Sequence, residues 1–463
     1  GARYVAKAFA AGTPRAWIEF QRDLADHAAE VDPALEGAIP RFAGEGDRIR
    51  RVAVPIAGGH GAGVDGAVAD GAGVDAALLG FVAGRPLVRV RPHAPDLLRG
   101  VGALVGRVDR ALSSYSGRVP ARTEDVAATA GIDAPSWCLM DGPDVVAERL
   151  ASVPEGARRR DLVARVLDRF GGARREAIAS LRGQVLHQDA NDHNVLVRVE
   201  ARGPVASGLI DLGDATRAPL VCEPAIAAAY AALGKRDPLS AMAYVVAGFH
   251  GELPLQDEEL DAVFDLALLR LAVSVSISSH RAASTMGASD YHLVTEAPAW
   301  DALEALTDAH PRLAPAVLRS AAGLDPVPRA ARFTEWARTR SFEPILGASL
   351  EEAPRVDLSL DGPLVVESGR DRTLKEWGAD LESLRRESGA PATVGYHDES
   401  RLLYATDAFA TEREDGPEPR TVHLGVDLFA PAGTDVRAPL DGGVVSVQRN
   451  AAPQDDGDRE SGG

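Results

Sequence analysis

Cysteine is scarce: Cys138 and Cys222 are the only two in 463 residues, and they form neither a CxxC pair nor a metal-ligand spacing. A disulfide framework is not expected, and a reducing cytoplasm is. Positive charge is also in deficit, with 50 Lys and Arg against 68 Asp and Glu and a formal net charge of -18. Duplex binding needs a basic face to neutralise phosphates, so nucleic acid is not an expected partner. An acidic surface serves solubility first and suits a cationic small substrate second. No apolar run approaches the length of a membrane span, so no membrane association is expected. An initiating methionine is missing too. Gly1 leads straight into a strand-like run, so a fragment is expected and the lack of a signal peptide carries little weight.

What is present describes an ordinary soluble protein, 45% hydrophobic and 25% charged. The length predicts two or more domains. Arg3–Ala10 alternates as a strand, and Pro14–His27 carries Trp17, Phe20 and Leu24 on one helical stripe. Residues 52–90 suggest short strands around a glycine-rich stretch. Leu97–Leu112, Arg158–Leu181 and Leu260–Ser278 have helical spacing, whereas residues 120–136 are loop-like. Residues 421–447 switch to short strands between Pro and Gly turns.

Two motifs carry chemistry. His187-Gln-Asp189-Ala-Asn-Asp-His-Asn194 fits H-x-D-x-x-x-x-N, and Ile210-Asp211-Leu212-Gly213 follows on the next apolar run. Phosphoryl transfer needs a carboxylate to orient the attacking hydroxyl and take its proton, together with oxygen ligands for magnesium on the phosphates. Asp189 is the expected base, Asn194 and Asp211 are the expected magnesium ligands, and His187 is expected to brace the loop. Asp and Asn are also common turn formers. Two motifs in this order, each beside an apolar strand, favour the phosphoryl-transfer reading.

Such a site needs a lysine on an upstream strand and a glutamate on the helix after it. Lys7 and Glu19 fill those places, with Lys7 on the α/β-phosphates and Glu19 orienting it. Gly61-Ala-Gly63-Val-Asp-Gly66 matches G-x-G-x-x-G, but it follows the lysine strand where a phosphate-covering loop must precede it. It reads as a flexible loop, and the true glycine-rich loop is expected before Gly1.

VLHQDANDHNVLV with LIDLGDA resembles the aminoglycoside phosphotransferase/choline kinase superfamily, and LLGFVAGRPL (Leu78–Leu87) is similar to that family's hinge. The NDHN form, the IDLGD turn and Gly248–Ser278 look closest to its hydroxylysine kinase branch. The resemblance covers roughly residues 1–330. One departure is Gln188, where the family usually has Gly. The resemblance implies an α+β, protein-kinase-like fold of two lobes: a truncated N-lobe over 1–85 and a helical C-lobe over 86–330. It also implies ATP and Mg2+ as cofactors and a small amino-alcohol acceptor, hydroxylysine-like or aminoglycoside-like. A catalytically inactive nucleotide-binding regulatory module is the alternative. Asp257, Glu258, Glu259, Tyr291 and Glu296 are acceptor candidates only as polar residues of the helical lobe.

A connecting region is expected over 331–420 and a partial all-β domain over 421–463. His423-Leu-Gly-Val-Asp427 resembles the H-x-x-x-D motif of lysostaphin-type zinc endopeptidases. That family's later H-x-H motif is absent, and two ligands make no catalytic zinc site, so a zinc metallopeptidase is the disfavoured reading. Proteins joining these two kinds of domain often continue into a pyridoxal-phosphate aminotransferase, which implies further domains outside this chain.

Overall fold

The structure is a computed structural model that describes residues 2–10, 12–44, 48–52, 74–120, 137–154, 159–283, 290–310, 312–368, 374–401, 410–413, 416–419 and 421–447. The glycine-rich Gly61–Gly66 stretch and the loop-like residues 121–136 lie outside that set, as do the side chains of Tyr291 and Glu296. The chain divides into two compact units, Gly1–Pro328 and Arg329–Gly463, and the fold is mixed α/β.

The first unit opens with β1 (Tyr4–Ala8), which pairs antiparallel with β3 (Val74–Gly80). On its other side β3 pairs with β2 (Ile49–Val52). Lys7 stands opposite Ala77 in that ladder. α1 (Arg15–Val31) buries Ile18, Phe20, Gln21, Leu24, Ala25 and Ala28, a stripe with helical periodicity. Ile18 joins Phe9, Phe42, Ile49 and Ala77 in a small core under the sheet. The segment similar to a hinge leaves β3 and enters β4 (Arg85–Pro86).

The rest of this unit is mainly helical. α2 (Pro95–Leu112) starts with Pro at its first turn, where no amide hydrogen is needed. α3 (Gly142–Arg149), α4 (Arg159–Asp168) and α5 (Gly172–Ala179) follow. The single helix expected over Arg158–Leu181 is thus two, divided at Gly171 and Gly172, where two adjacent glycines weaken helical continuation. Then come α6 (Cys222–Ala231), α7 (Pro238–Glu252), α8 (Asp257–Ala283), α9 (Asp290–Thr307) and α10 (Leu313–Ala321). The main core joins Val101 and Val105 of α2, Val245 and Phe249 of α7, and Phe264 and Leu268 of α8. α2 and α7 approach closely: a Cβ at Gly102 would sit 1.8 Å from the Val245 carbonyl oxygen, and one at Gly248 would sit 1.9 Å from that of Arg99. Only glycine fits either position.

Two antiparallel ladders sit among these helices. β5 (Gly183–Leu186) pairs with β8 (Thr216–Pro219), and β6 (Val195–Glu200) lies between β4 and β7 (Gly203–Leu209). Residues 187–194 connect β5 to β6, and 210–215 connect β7 to β8. Both sequence motifs therefore occupy crossings between the same two ladders. That topology positions the site.

The second unit contains helices Ala330–Arg338, Pro363–Ser368 and Leu374–Ser388 with short strands. β10 (Thr393–Gly395) pairs with β9 (Arg355–Val356) and with the strand Leu428–Phe429, and β11 (Glu399–Ser400) pairs with the strand Val422–His423. Strands before and after residue 420 thus share sheets, so the sequence change at 421 is no sheet boundary.

Candidate active site

The loop after β5 is held by its own side chains. The Asn191 amide oxygen accepts from the backbone N–H of His193 and of Asn194, each at 2.9 Å. Its amide nitrogen donates to Asp189 Oδ2 at 2.9 Å. Asn194 Nδ2 donates to the same oxygen at 2.7 Å and to the Asp189 backbone carbonyl at 2.9 Å. The other carboxylate oxygen, Oδ1, accepts from Arg270 of α8 at 2.7 Å. Burial pushes the Asp189 carboxyl up to about 6, against the charge of Arg270 that pulls it down.

His187 links the two crossings. Its Nδ1 accepts from the Asp189 backbone N–H at 3.2 Å, and its Nε2 donates to the Ile210 carbonyl at 3.0 Å. Burial lowers its pKa despite nearby Asp211, so the ring is neutral with its proton on Nε2. This geometry is that of a brace. The Ile210 backbone N–H donates to the Asn194 carbonyl at 3.0 Å, which places Asp211 beside the Asn194 end of the loop.

Asp211 has a left-handed backbone, φ 68°, and its carboxylate caps the turn by accepting from Gly213 N–H. A non-glycine residue there holds strain of the kind that persists at functional positions. Lys7 Nζ donates to Asp211 Oδ1 at 2.7 Å. Burial works to raise the Asp211 carboxyl, but the charge and hydrogen bond of Lys7, with the Gly213 N–H, outweigh it and hold it below the usual carboxylate range.

Glu19 is not brought to Lys7. It pairs with Arg15 one turn earlier at 3.2 Å, both side chains being exposed. The residue of α1 that faces Lys7 is Gln21, with Oε1 at 3.5 Å. The helix phase explains the correction: Gln21 lies on the buried stripe with Ile18 and Leu24, and Glu19 lies off it. α1 is also fastened to the Asp211 turn, where Trp17 Nε1 donates to the Gly213 carbonyl at 3.0 Å.

Gln188 is fully buried, with φ 65°. The position asks for a left-handed residue, which accounts for glycine being usual there. Here the side chain is absorbed, since its Oε1 accepts from Leu139 N–H at 3.2 Å. Its backbone N–H donates to Glu223 Oε2 of α6 at 2.6 Å. Burial raises the Glu223 carboxyl to about 7, and burial beside Glu223 raises Asp109 as well. Glu223 thereby anchors the loop from below.

Two clefts flank these residues. One, of about 540 Å3, is bordered by Lys7, Gln21, Phe42, Phe81, Leu196 and Asp211. The other, of about 310 Å3, is bordered by Trp137, Asp189, His193, Tyr230, Arg270 and Arg281. Neither cleft is bordered by the acceptor candidates Asp257 and Glu259 among the described residues. Asp257 pairs with Arg319, and fully buried Glu259 pairs with Arg182. Arg270, Asn191, Gln21 and Glu223 are site residues that sequence reasoning missed. Arg270 alone left a clear signal, as the one arginine inside the apolar run of α8.

In the second unit His423 Nε2 lies 3.6 Å from Asp427 Oδ1, and Arg401 donates to Asp427 Oδ2 at 2.5 Å. Among the described residues no group of three His, Cys, Asp or Glu side chains is arranged to hold a metal ion. No helix there is long and apolar enough to cross a membrane.

The sequence profile described as APH, the phosphotransferase enzyme family, matches residues 1–260. Hydroxylysine kinase of Xenopus laevis is 25% identical over 244 residues, covering 50% of this chain and 61% of that protein. Hydroxylysine kinase of Bos taurus is 25% identical over 236 residues, covering 50% and 60%. The chain thus spans less than two thirds of these relatives' length. Among solved structures, amicoumacin kinase hAmiN in complex with AMP-PNP, Ca2+ and Ami matches with a TM-score of 0.42 at 15% identity, covering 66% of this chain and 83% of that one.

Proposed function

The chain belongs to the phosphotransferase enzyme family, and from that premise we propose that it transfers the γ-phosphoryl group of ATP to the hydroxyl of a small, hydroxylysine-like amino-alcohol. The observation that carries this reading is the placement of Asp189. Its fixed carboxylate borders a cavity of small-molecule size, while the His187 ring and the Asn194 backbone carbonyl bond Ile210 and so tie the same loop to the Asp211 turn at the edge of the larger cleft.

In this reading the nucleotide occupies the larger cleft with Lys7 on its phosphates. The acceptor occupies the smaller one, with its hydroxyl on Asp189. The hydroxyl oxygen forms a bond to the γ-phosphorus as the bond from that phosphorus to the bridging oxygen breaks. ADP leaves, and the hydroxyl proton passes to Asp189. Asn194 and Asp211 supply hard oxygen donors that suit magnesium, which neutralises phosphate charge when bound. The direct Lys7–Asp211 pair beside the larger cleft supports this reading. Gln21, rather than Glu19, steadies Lys7.

For the second unit we read a lysostaphin-type likeness, on the spacing of His423 and Asp427, and assign it no zinc chemistry. Arg401 occupies one Asp427 oxygen, and a catalytic site takes three protein ligands. The test of the kinase reading is ADP release from ATP and magnesium across a panel of amino-alcohols, hydroxy amino acids and aminoglycosides. Acceptor-dependent release with a phosphorylated product supports it. Release by no acceptor in the panel would turn the reading toward a nucleotide-binding regulatory module.

A further inference from the structure

The smaller cleft has a polarity of its own, and we propose that Arg270 makes it a carboxylate-reading acceptor site, selecting hydroxy amino acids over their decarboxylated amines and over polycationic sugars. This inference rests on assigning that cleft to the acceptor. Arg270 is 1% exposed, yet it borders the cavity. Its guanidinium is held on several sides. One nitrogen donates to Asp189 Oδ1 at 2.7 Å and another to the Trp137 carbonyl at 3.3 Å. The Trp137 and Tyr230 rings lie 4.7 and 5.4 Å from its central carbon. Its Nε–H has no hydrogen-bond partner among the described residues.

A buried, unsatisfied donor on a fixed cation costs free energy until an acceptor meets it. Asp189 takes one donor of the guanidinium and leaves the Nε–H unmet. A carboxylate on the acceptor supplies this fixed cation with a further charge-assisted partner. The planar, donor-rich guanidinium suits a carboxylate better than a lysine ammonium would, and its aromatic neighbours fix the plane.

The remaining described lining agrees. Arg281 is a second arginine on the wall. Among the described lining residues, the only carboxylate beside Asp189 is Asp192, which is 5% exposed. A polycationic sugar would meet the buried guanidinium of Arg270 on this wall. Asp189 and Arg270 are in direct contact, so the hydroxyl and carboxylate of the acceptor must lie within a short carbon chain of each other.

The experiment is calorimetric binding to the whole chain, without turnover, of matched probes that differ only in the carboxylate. Serine is set against ethanolamine, homoserine against propanolamine, and hydroxylysine against its carboxamide. One charge-assisted contact predicts that the carboxylated member of at least one pair binds about 10- to 100-fold tighter. In Arg270→Gln that preference should fall to within about twofold. Equal or weaker binding of every carboxylated member by the wild type overturns the proposal, as does binding of none. A preference that survives Arg270→Gln overturns it too, and would leave Arg270 a role on Asp189 alone. If Arg270→Gln fails to fold, the wild-type comparison decides. Failure of the kinase reading looks different: carboxylated probes bind selectively, yet no acceptor releases ADP.

Discussion

Burial and Arg270 act on Asp189 in opposite directions, and burial prevails, setting the carboxyl at about 6. Only the ionised form accepts a proton from the acceptor hydroxyl. Protonation as pH falls through that value therefore removes the base, whereas raising pH above it changes nothing at this residue. With ATP saturating, kcat/KM for the acceptor should be level above about pH 7 and fall tenfold per unit below about pH 5. A pH–rate profile checks this, and an acid limb near pH 4 would mean that the environment does not raise Asp189. At this scale much was legible. His187, Asp189, Asn194 and Asp211 stand in local motifs whose spacing reflects one loop and one turn. Arg270 shows in the sequence as an arginine inside an apolar run, but neither its partner nor that of Glu223 was legible, because they reach Asp189 and Gln188 across 81 and 35 residues. No pattern within either segment announces a contact made only by tertiary folding.

The helix α1 shows how an element decides between neighbouring side chains. Sequence placed the helix correctly but chose the glutamate, since a charged partner for Lys7 was sought there. The phase of the apolar stripe places Gln21 inward and Glu19 outward beside Arg15. The consequence is measurable in nucleotide binding. Lys7→Ala removes a charge-assisted contact and should raise the KM for ATP about 10- to 100-fold. Glu19→Ala removes only a solvent-exposed i,i+4 pair and should leave that KM within about twofold. Steady-state kinetics with ATP varied separates the two. A large effect of Glu19→Ala would mean that α1 turns when nucleotide binds. The break of the Arg158–Leu181 segment at Gly171 has the same lesson: apolar spacing predicts helix on both sides and does not register where paired glycines interrupt it.

For the molecule as a whole, the two ladders explain why one loop and one turn make a site. The crossings from β5 to β6 and from β7 to β8 pass between the same pair of ladders, so His187 can bond Ile210 and Asn194 can lie beside Asp211. Net charge is a poorer guide. The whole chain carries -18 and on that basis suits a cationic substrate, but the smaller cleft is lined by Arg270 and Arg281. Surface charge acts at a distance and is screened by salt, whereas a buried guanidinium acts within the cavity. In the second unit, the change of sequence texture at residue 421 reflects solvent-facing turns, and the strands on either side of it share sheets.

The most direct measurement compares acceptor-dependent ADP release by the wild type with that by Asp189→Asn, with nucleotide affinity measured in parallel. The amide keeps the shape and loses the proton acceptor. The account predicts a fall in kcat of about 10²- to 10⁴-fold with ATP affinity retained, because Lys7 and Asp211 bond each other and not the Asp189 side chain. Turnover by Asp189→Asn equal to that of the wild type would contradict it.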